Sequence, residues 1–348
     1  MLAEILREPA VPLHPVVDPA GWDKAEMSSS GRWIFELAPE DIDDLERAVS
    51  AELDRGRSLL EVDRASFALP VFGPKLERLC HQLMNGIGLF QMRGFPIERY
   101  SRTEIATAFW GIGTYFGRAV SQNATGHMLG HVIDMGHTQA NPNQRGYQTR
   151  ETIDYHSDSC DVVGLLSLQS AKKGGLSKVV SSVAIYNEML RRSPDLVEEL
   201  CRPFYMDHRG EVREGKAPFY QLPVFNFRDG HLSTRWARSH IESAQRFPEV
   251  PRLTDRQIEA FELMDQLCEE LRLDIRFEPG DIQFLHNHVM LHTRTAYEDF
   301  PDRKRHLYRL WLATDAARPI PAGYAERIMG IVVAGTKPQI TLEANEAG

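Results

Sequence analysis

The last third of the chain constrains the fold most. It runs "DIRFE", "PGD", "IQFLHNHVMLHTR" and "RHLYRLWLATD" in close succession, short apolar runs separated by turn residues. Runs of this length, rich in Ile, Leu, Phe and aromatic residues and bounded by Gly, Pro and Asp, suit β-strands better than helices. The earlier sequence reads differently. "APEDIDDLERAVSAEL" predicts a helix, with Pro39 in its first turn, acids at its positive end, and Ile42, Leu45, Val49 and Leu53 at helical spacing. "GPKLERLCHQLMNG" predicts a second helix stopped at Asn85-Gly86, and "IGLFQMRGFP" a short buried strand. "SRTEIATAFWGIGTYFG" opens on a Ser101–Glu104 capping box and should close at Gly117. Further on, "TDRQIEAFELMDQLCEELRL" is a capped helix, and Ser193-Pro194 marks the start of another.

No repeat, low-complexity tract or linker divides the 348 residues. The expectation is one mixed α/β domain with a mainly β core. Residues 1–35 read as an extended arm, 36–117 as helices and first strands, and 151–315 as the core with a helical insert at 183–271. Between them, 118–150 is polar, Gly- and Asn-rich, and carries His127, His131 and His137. Long irregular segments in globular chains are commonly functional, so this one is expected to lie over a pocket as a lid.

Composition excludes several partners. A formal charge of -9 argues against nucleic acid, which needs a concentrated Lys/Arg surface. No apolar run approaches the roughly 20 residues of a membrane helix. The start, "MLAEILREPAVPLHPVV", lacks the features of a secretory signal. Cys80, Cys160, Cys201 and Cys268 form no Cys-x-x-Cys pair, a pattern of reduced, packed thiols and a cytoplasmic protein. Cys80 shares a helical face with Leu76, Leu79 and Leu83, which marks it as core.

The chemistry starts at "ETIDYHSDSCDVVGLLSLQS". If this is a strand, His156 and Asp158 project from one face and can converge on one ion. Cys160 shares that parity. A chance His-x-Asp arises roughly once in a chain with this many histidines, so its position at the mouth of a buried strand is what gives the pair weight. Two protein ligands of this kind need a third. Two histidines and one carboxylate on one face are what non-haem Fe(II) oxygenases use, with three positions left open. His286, His288 and His292 are the candidates; their even spacing would put all three on one side of a continuous strand, so spacing does not choose among them. Arg305 and Arg309 sit downstream in an alternating apolar stretch, where an unpaired guanidinium is costly and a carboxylate partner is expected.

His-x-Asp, then "GGLS", then "GDIQFLHNHVMLHTRTAYED" with an arginine thirteen residues past the last histidine, resembles the Fe(II)/2-oxoglutarate-dependent dioxygenases of the taurine dioxygenase/2,4-dichlorophenoxyacetate dioxygenase (TauD/TfdA-like) family. The resemblance extends from "GIGLFQMRGFP" to "RLWLATD". It implies a double-stranded β-helix, a jelly-roll of the clavaminate synthase-like kind with flanking helices. It implies Fe(II) on His156, Asp158 and His292, which demotes His286 and His288 to neighbours. Arg305 would pair with the distal carboxylate of 2-oxoglutarate and Ser177, in "GGLS", would hydrogen-bond the same cosubstrate. Arg309 matches an arginine that in some members grips an acidic substrate. The implied reaction consumes O2 and 2-oxoglutarate, releases succinate and CO2, and hydroxylates an unreactive C–H bond.

The carboxylate of Asp158 argues against halogenation, since halogenating members lack it. Desaturation, cyclisation and oxidative cleavage use the same cofactors, and a non-catalytic metal-binding barrel is the alternative from another class. A zinc hydrolase is disfavoured because no general-base glutamate accompanies the ligands. The expected partner is a small molecule, an amino acid or other small acid, contacted by Arg309, Cys160 and, from the lid, Tyr147 and His131. The sequence leaves homo-oligomerisation open.

Overall fold

The computed structural model describes residues 6–138, 146–212, 215–326 and 328–344. Ten strands build two sheets. They are β1 (Ile34–Glu36), β2 (Leu89–Arg93), β3 (Arg118–Ala119), β4 (Leu129–Ile133) and β5 (Val162–Gln169). Then follow β6 (Ser177–Ser181), β7 (Leu273–Ile275), β8 (Ile282–His286), β9 (Met290–Arg294) and β10 (His306–Ala313). The large sheet runs β1-β2-β8-β5-β10-β3, with β4 also on β10; the small sheet is β7-β6-β9. Except for the parallel β1–β2 pair, every pairing in the two sheets is antiparallel. This is the expected jelly-roll, a double-stranded β-helix.

Two cores hold it. Val163, Leu285 and Trp311 of the large sheet share one with Val179, Val180 and Leu291 of the small sheet. The other lies behind the large sheet, under α2 (Pro39–Arg55), α3 (Gly73–Asn85) and α4 (Arg102–Gly113), which follow the short α1 (Lys24–Ser30). β10 serves both faces. Tyr308, Leu310 and Leu312 point back toward those helices, whereas Leu307, Arg309 and Trp311 face the opening between the sheets. Burial on both sides is why this strand reads as a continuous apolar run.

The helix signals act as their chemistry dictates. Pro39 opens α2, and the Asp41 carboxylate accepts from the Ala38 N–H. Leu53 differs from expectation: it is exposed, and Glu52 is buried in its place, paired with Arg55 and Arg57. Ser101 and Glu104 form the capping box of α4, but that helix ends at Gly113 rather than Gly117, unwinding through tighter turns over Thr114–Phe116. Between β6 and β7 lie α5 (Ser182–Arg192), α6 (Pro194–Leu200), α7 (Arg238–Ala244) and α8 (Asp255–Leu271), together with two hairpin ribbons, and they pack on the small sheet.

Two segments depart from expectation. Of the arm expected at 1–35, residues 1–5 lie outside the described residues and the rest is docked: Val16, Ala20, Trp22 and Met27 are buried, and the Asn187 amide bonds both the N–H and C=O of Val16. Within 118–150, residues Leu129–Ile133 form a fully buried core strand, so the segment is not irregular throughout; residues 139–145 lie outside the described residues. No helix among the described residues is long and apolar enough to cross a membrane.

Candidate active site

His156 and Asp158 do not sit in a strand. β5 starts only at Val162, and His156 makes isolated bridges to His292 and Ala237. Paired backbone bonds of 3.1 Å between His156 and His292 bring the loop against β9. There the His156, Asp158 and His292 ligand atoms all lie within 4.8 Å of one another. His156 Nε2 stands 3.7 Å from Asp158 Oδ1, and His292 Nε2 3.6 Å from Oδ2. Both separations are too long for hydrogen bonds. Donors sharing one ion at about 2.1 Å stand about 3 Å apart, so a small closure would seat a divalent metal.

The protonation states fit that use. His156 Nδ1 lies 2.8 Å from the Asp154 carbonyl, which makes it the N–H and leaves the Nε2 lone pair facing the cluster. Burial, then the adjacent His292 ring, lowers the His156 pKa to about 4, so the ring is neutral. Burial alone would raise the Asp158 carboxyl; the Arg309 guanidinium and His292 overcome this and hold it far below the usual carboxylate range. Trp311 Nε1 donates to Asp158 Oδ2 at 2.8 Å, fixing the plane of the carboxylate.

A cationic wall continues from the cluster. Arg309 lies between the Tyr147 and Trp311 rings, 4.5 and 4.7 Å from their centroids, and its Nε donates to Gln122. Further in, Arg305 is buried, and its Nη1 has no hydrogen-bond partner among the described residues. Burial and the nearby Arg294 lower its pKa to about 10, and it remains a cation. An orphaned buried guanidinium N–H is a site for an anion's oxygen. Ser177 lines the same pocket from β6. The glycines before it have a specific reason. Gly175 has φ +68, and a Cβ there would stand 2.9 Å from Arg305 Nε.

Of the residues expected to meet substrate, Tyr147 and Arg309 line the pocket; Cys160 and His131 do not. Cys160 is packed in the core, where burial pushes its thiol up, because the loop conformation breaks the strand parity that would have aimed it inward. His131 faces the other side of β4, bonded to His306 and the Thr341 carbonyl. His286 and His288 are also elsewhere. The run around them is two strands joined by a turn, so His286 meets Arg318 and His288 meets Asp161.

Sequence reasoning missed Trp311, Arg294, Asn287 and Arg235. For Trp311 a signal existed: residues 305, 307, 309 and 311 alternate onto the pocket face. Arg294 follows His292 by two, and its guanidinium donates to the Thr149 and Glu151 carbonyls.

A family model for the taurine catabolism dioxygenase TauD, TfdA family matches residues 55–311. FR-33289 synthase of Streptomyces rubellomurinus is 30% identical over 341 residues, 96% of this chain and 98% of that protein. Asparagine oxygenase, solved with Fe(II), 2S,3S-3-hydroxyasparagine and succinate, superposes with a TM-score of 0.65 at 17% identity, covering 81% of this chain and 94% of that one. The non-heme iron oxygenase OrfP, solved with Fe, succinate and (3S)-hydroxy-L-Arg, gives 0.61 at 12% identity, covering 83% and 99%. At these identities the structural likeness is one of fold. The family model and the full-length relative go further: the chain belongs to the TauD, TfdA family and is an oxidoreductase of the Fe(II)- and 2-oxoglutarate-dependent dioxygenase class.

Proposed function

We propose that the protein hydroxylates an unreactive C–H bond of a small acid, an amino acid or related molecule, with release of succinate and CO2. The observation that carries this is the convergence of three ligand atoms within 4.8 Å beside a buried arginine whose Nη1 has no partner. His156, Asp158 and His292 would hold Fe(II) on one face, and Arg305 with Ser177 would hold 2-oxoglutarate. Bound there, iron and 2-oxoglutarate supply O2 activation coupled to oxidative decarboxylation.

The chain's own residues position and exclude. Arg305, itself buried, would present a planar fork to a carboxylate where the low local polarity strengthens the pairing. Trp311 and Arg309 keep Asp158 ionised and oriented. Arg309 also faces the pocket, backed by Tyr147, and would take the acidic group of the substrate. The asparagine oxygenase and OrfP structures hold hydroxylated amino acids beside succinate, which is in keeping with hydroxylation.

The test is a panel of small acids and amino acids incubated with enzyme, Fe(II), 2-oxoglutarate and O2. The substrate should stimulate succinate formation and gain one oxygen atom, in equal amounts. Stimulated succinate with a product two hydrogens lighter would replace hydroxylation by desaturation. Succinate formation that survives in both His292→Ala and Arg305→Ala would overturn the site.

A further inference from the structure

The loop that carries His156 and Asp158 has no continuous strand partner, yet its backbone is buried and must be satisfied. Two side chains supply what a strand would. Asn287 Oδ1 accepts from the Asp158 N–H at 2.8 Å. Its Nδ2 donates to the Asp158 carbonyl at 2.8 Å and the Cys160 carbonyl at 2.7 Å. Arg235 Nη1 donates to the Asp158 carbonyl at 2.9 Å and to the Ser157 carbonyl. Both side chains are buried, with relative exposures of 1% for Asn287 and 2% for Arg235.

Their positions in the fold matter as much as their bonds. Asn287 lies in the turn between β8 and β9, five residues before His292, and its own N–H bonds the Asp161 carbonyl. One turn therefore references both sides of the ligand set. Arg235 comes from the insert between β6 and β7, just before the Trp236 carbonyl that accepts the Ser157 N–H. Trp311 and Arg309, both at Oδ2, hold the Asp158 head but not its backbone.

We propose that Asn287 and Arg235 are positioning residues of the metal site. They hold the Asp158 backbone so that its carboxylate meets His156 and His292 without reorganisation when the ion arrives. The proposal rests on His156, Asp158 and His292 being the ligands. Asn287 carries the larger share, because its amide alone meets the Asp158 N–H and makes three of the bonds. Loosening such a frame costs metal affinity, typically 10- to 100-fold for groups that orient ligands.

The experiment uses Co(II) as a visible probe and Fe(II) under anaerobic conditions, on full-length protein. Asn287→Asp keeps the shape and the acceptor while removing both donations; Arg235→Met removes the other clamp. The expected result is Fe(II) binding weakened 10- to 100-fold in Asn287→Asp and less in Arg235→Met. The Co(II) absorption should change, and amide exchange at 157–161 should quicken, at a temperature where near-ultraviolet dichroism is native. Affinity is expressed per folded molecule, so partial unfolding does not mimic the effect. Should Asn287→Asp fail to fold, Asn287→Ser and Arg235→Met provide the same comparison. Wild-type affinity and a wild-type Co(II) spectrum in the folded fraction of these variants would overturn the proposal. His292→Ala is the control: if it still binds Co(II) as wild type does, the ligand assignment has failed; if it does not, only the positioning role is in question.

Discussion

His286, His288 and His292 stand at even spacing yet do three different things. His292 faces the cluster, whereas His288 is buried against Asp161 at 2.7 Å and the Tyr324 hydroxyl at 3.2 Å. His292→Ala should therefore abolish turnover and metal binding in a fold of near-native stability. His288→Ala should keep iron but lose about 3 kcal/mol of stability, because the buried Asp161 carboxylate keeps only the Thr314 N–H on its other oxygen. Equilibrium unfolding and metal titration of both variants check this; an iron-free His288→Ala would reverse the assignment. The sequence could not separate these histidines because the turn at 287–289 contains neither Gly nor Pro, and a lone Asn287 is a weak mark of where one strand stops and the next begins. Arg305 was legible by contrast, as a charge in an apolar alternation. Arg305→Ala should raise the 2-oxoglutarate requirement by orders of magnitude, with lysine restoring part. Gly175→Ala should act in the same direction by crowding Arg305 Nε. Unchanged 2-oxoglutarate affinity in Arg305→Ala would transfer the role to Arg309.

At the scale of elements, strands buried on both faces and capped helices were legible, and the polar segment 118–150 was legible only in part. β4 escaped notice because His131 sits in it, and a histidine bonded to His306 and a carbonyl is polar without being exposed. The opposite error occurred at residues 156–160, whose apolar sequel suggested a strand, although beyond the isolated His156–His292 bridge side chains rather than a ladder meet the Asp158 N–H and the Asp158 and Cys160 carbonyls. The end of the 118–150 segment does reach the site. Tyr147 stacks on Arg309, and Arg294 holds the Thr149 and Glu151 carbonyls while standing near Arg305, with the Tyr297 ring beside both guanidinium groups. A dicarboxylate on Arg305 would relieve the repulsion between these arginines. Amide exchange over 146–151 should slow when Fe(II) and 2-oxoglutarate bind without O2, and slow much less with Fe(II) alone. Arg294→Met should erase the difference. Equal exchange in all states would make this segment a passive wall.

For the whole molecule, the buried histidines set the acid limit. His306 is lowered to about 3 by burial and then by His131; His156 is lowered to about 4. Burial lowers His131 as well, and His286 is pushed well below its ordinary value by burial and Arg318. Each is neutral in the folded state, while its unfolded counterpart takes up a proton near pH 6.5. Below that pH the unfolded chain binds more protons, so stability falls as pH falls, and each group contributes until its folded pKa is reached. The slope is up to about 1.4 kcal/mol per pH unit for one such histidine. Asp18 and Asp158, whose folded pKa values are depressed, act in the same direction but only as pH falls below the ordinary carboxylate range. Among the groups whose pKa is lowered, the window between pH 6.5 and 5 therefore belongs to the histidines, while Asp154, Asp265 and Asp281, raised by burial, act against them as pH falls further. Urea midpoints of the metal-free protein should drop steadily from pH 7 to pH 5, and His306→Gln should flatten the corresponding stability slope by up to about 1.4 kcal/mol per unit. A midpoint constant across this range, or a slope untouched by His306→Gln, would mean that the buried rings open to solvent before the chain unfolds.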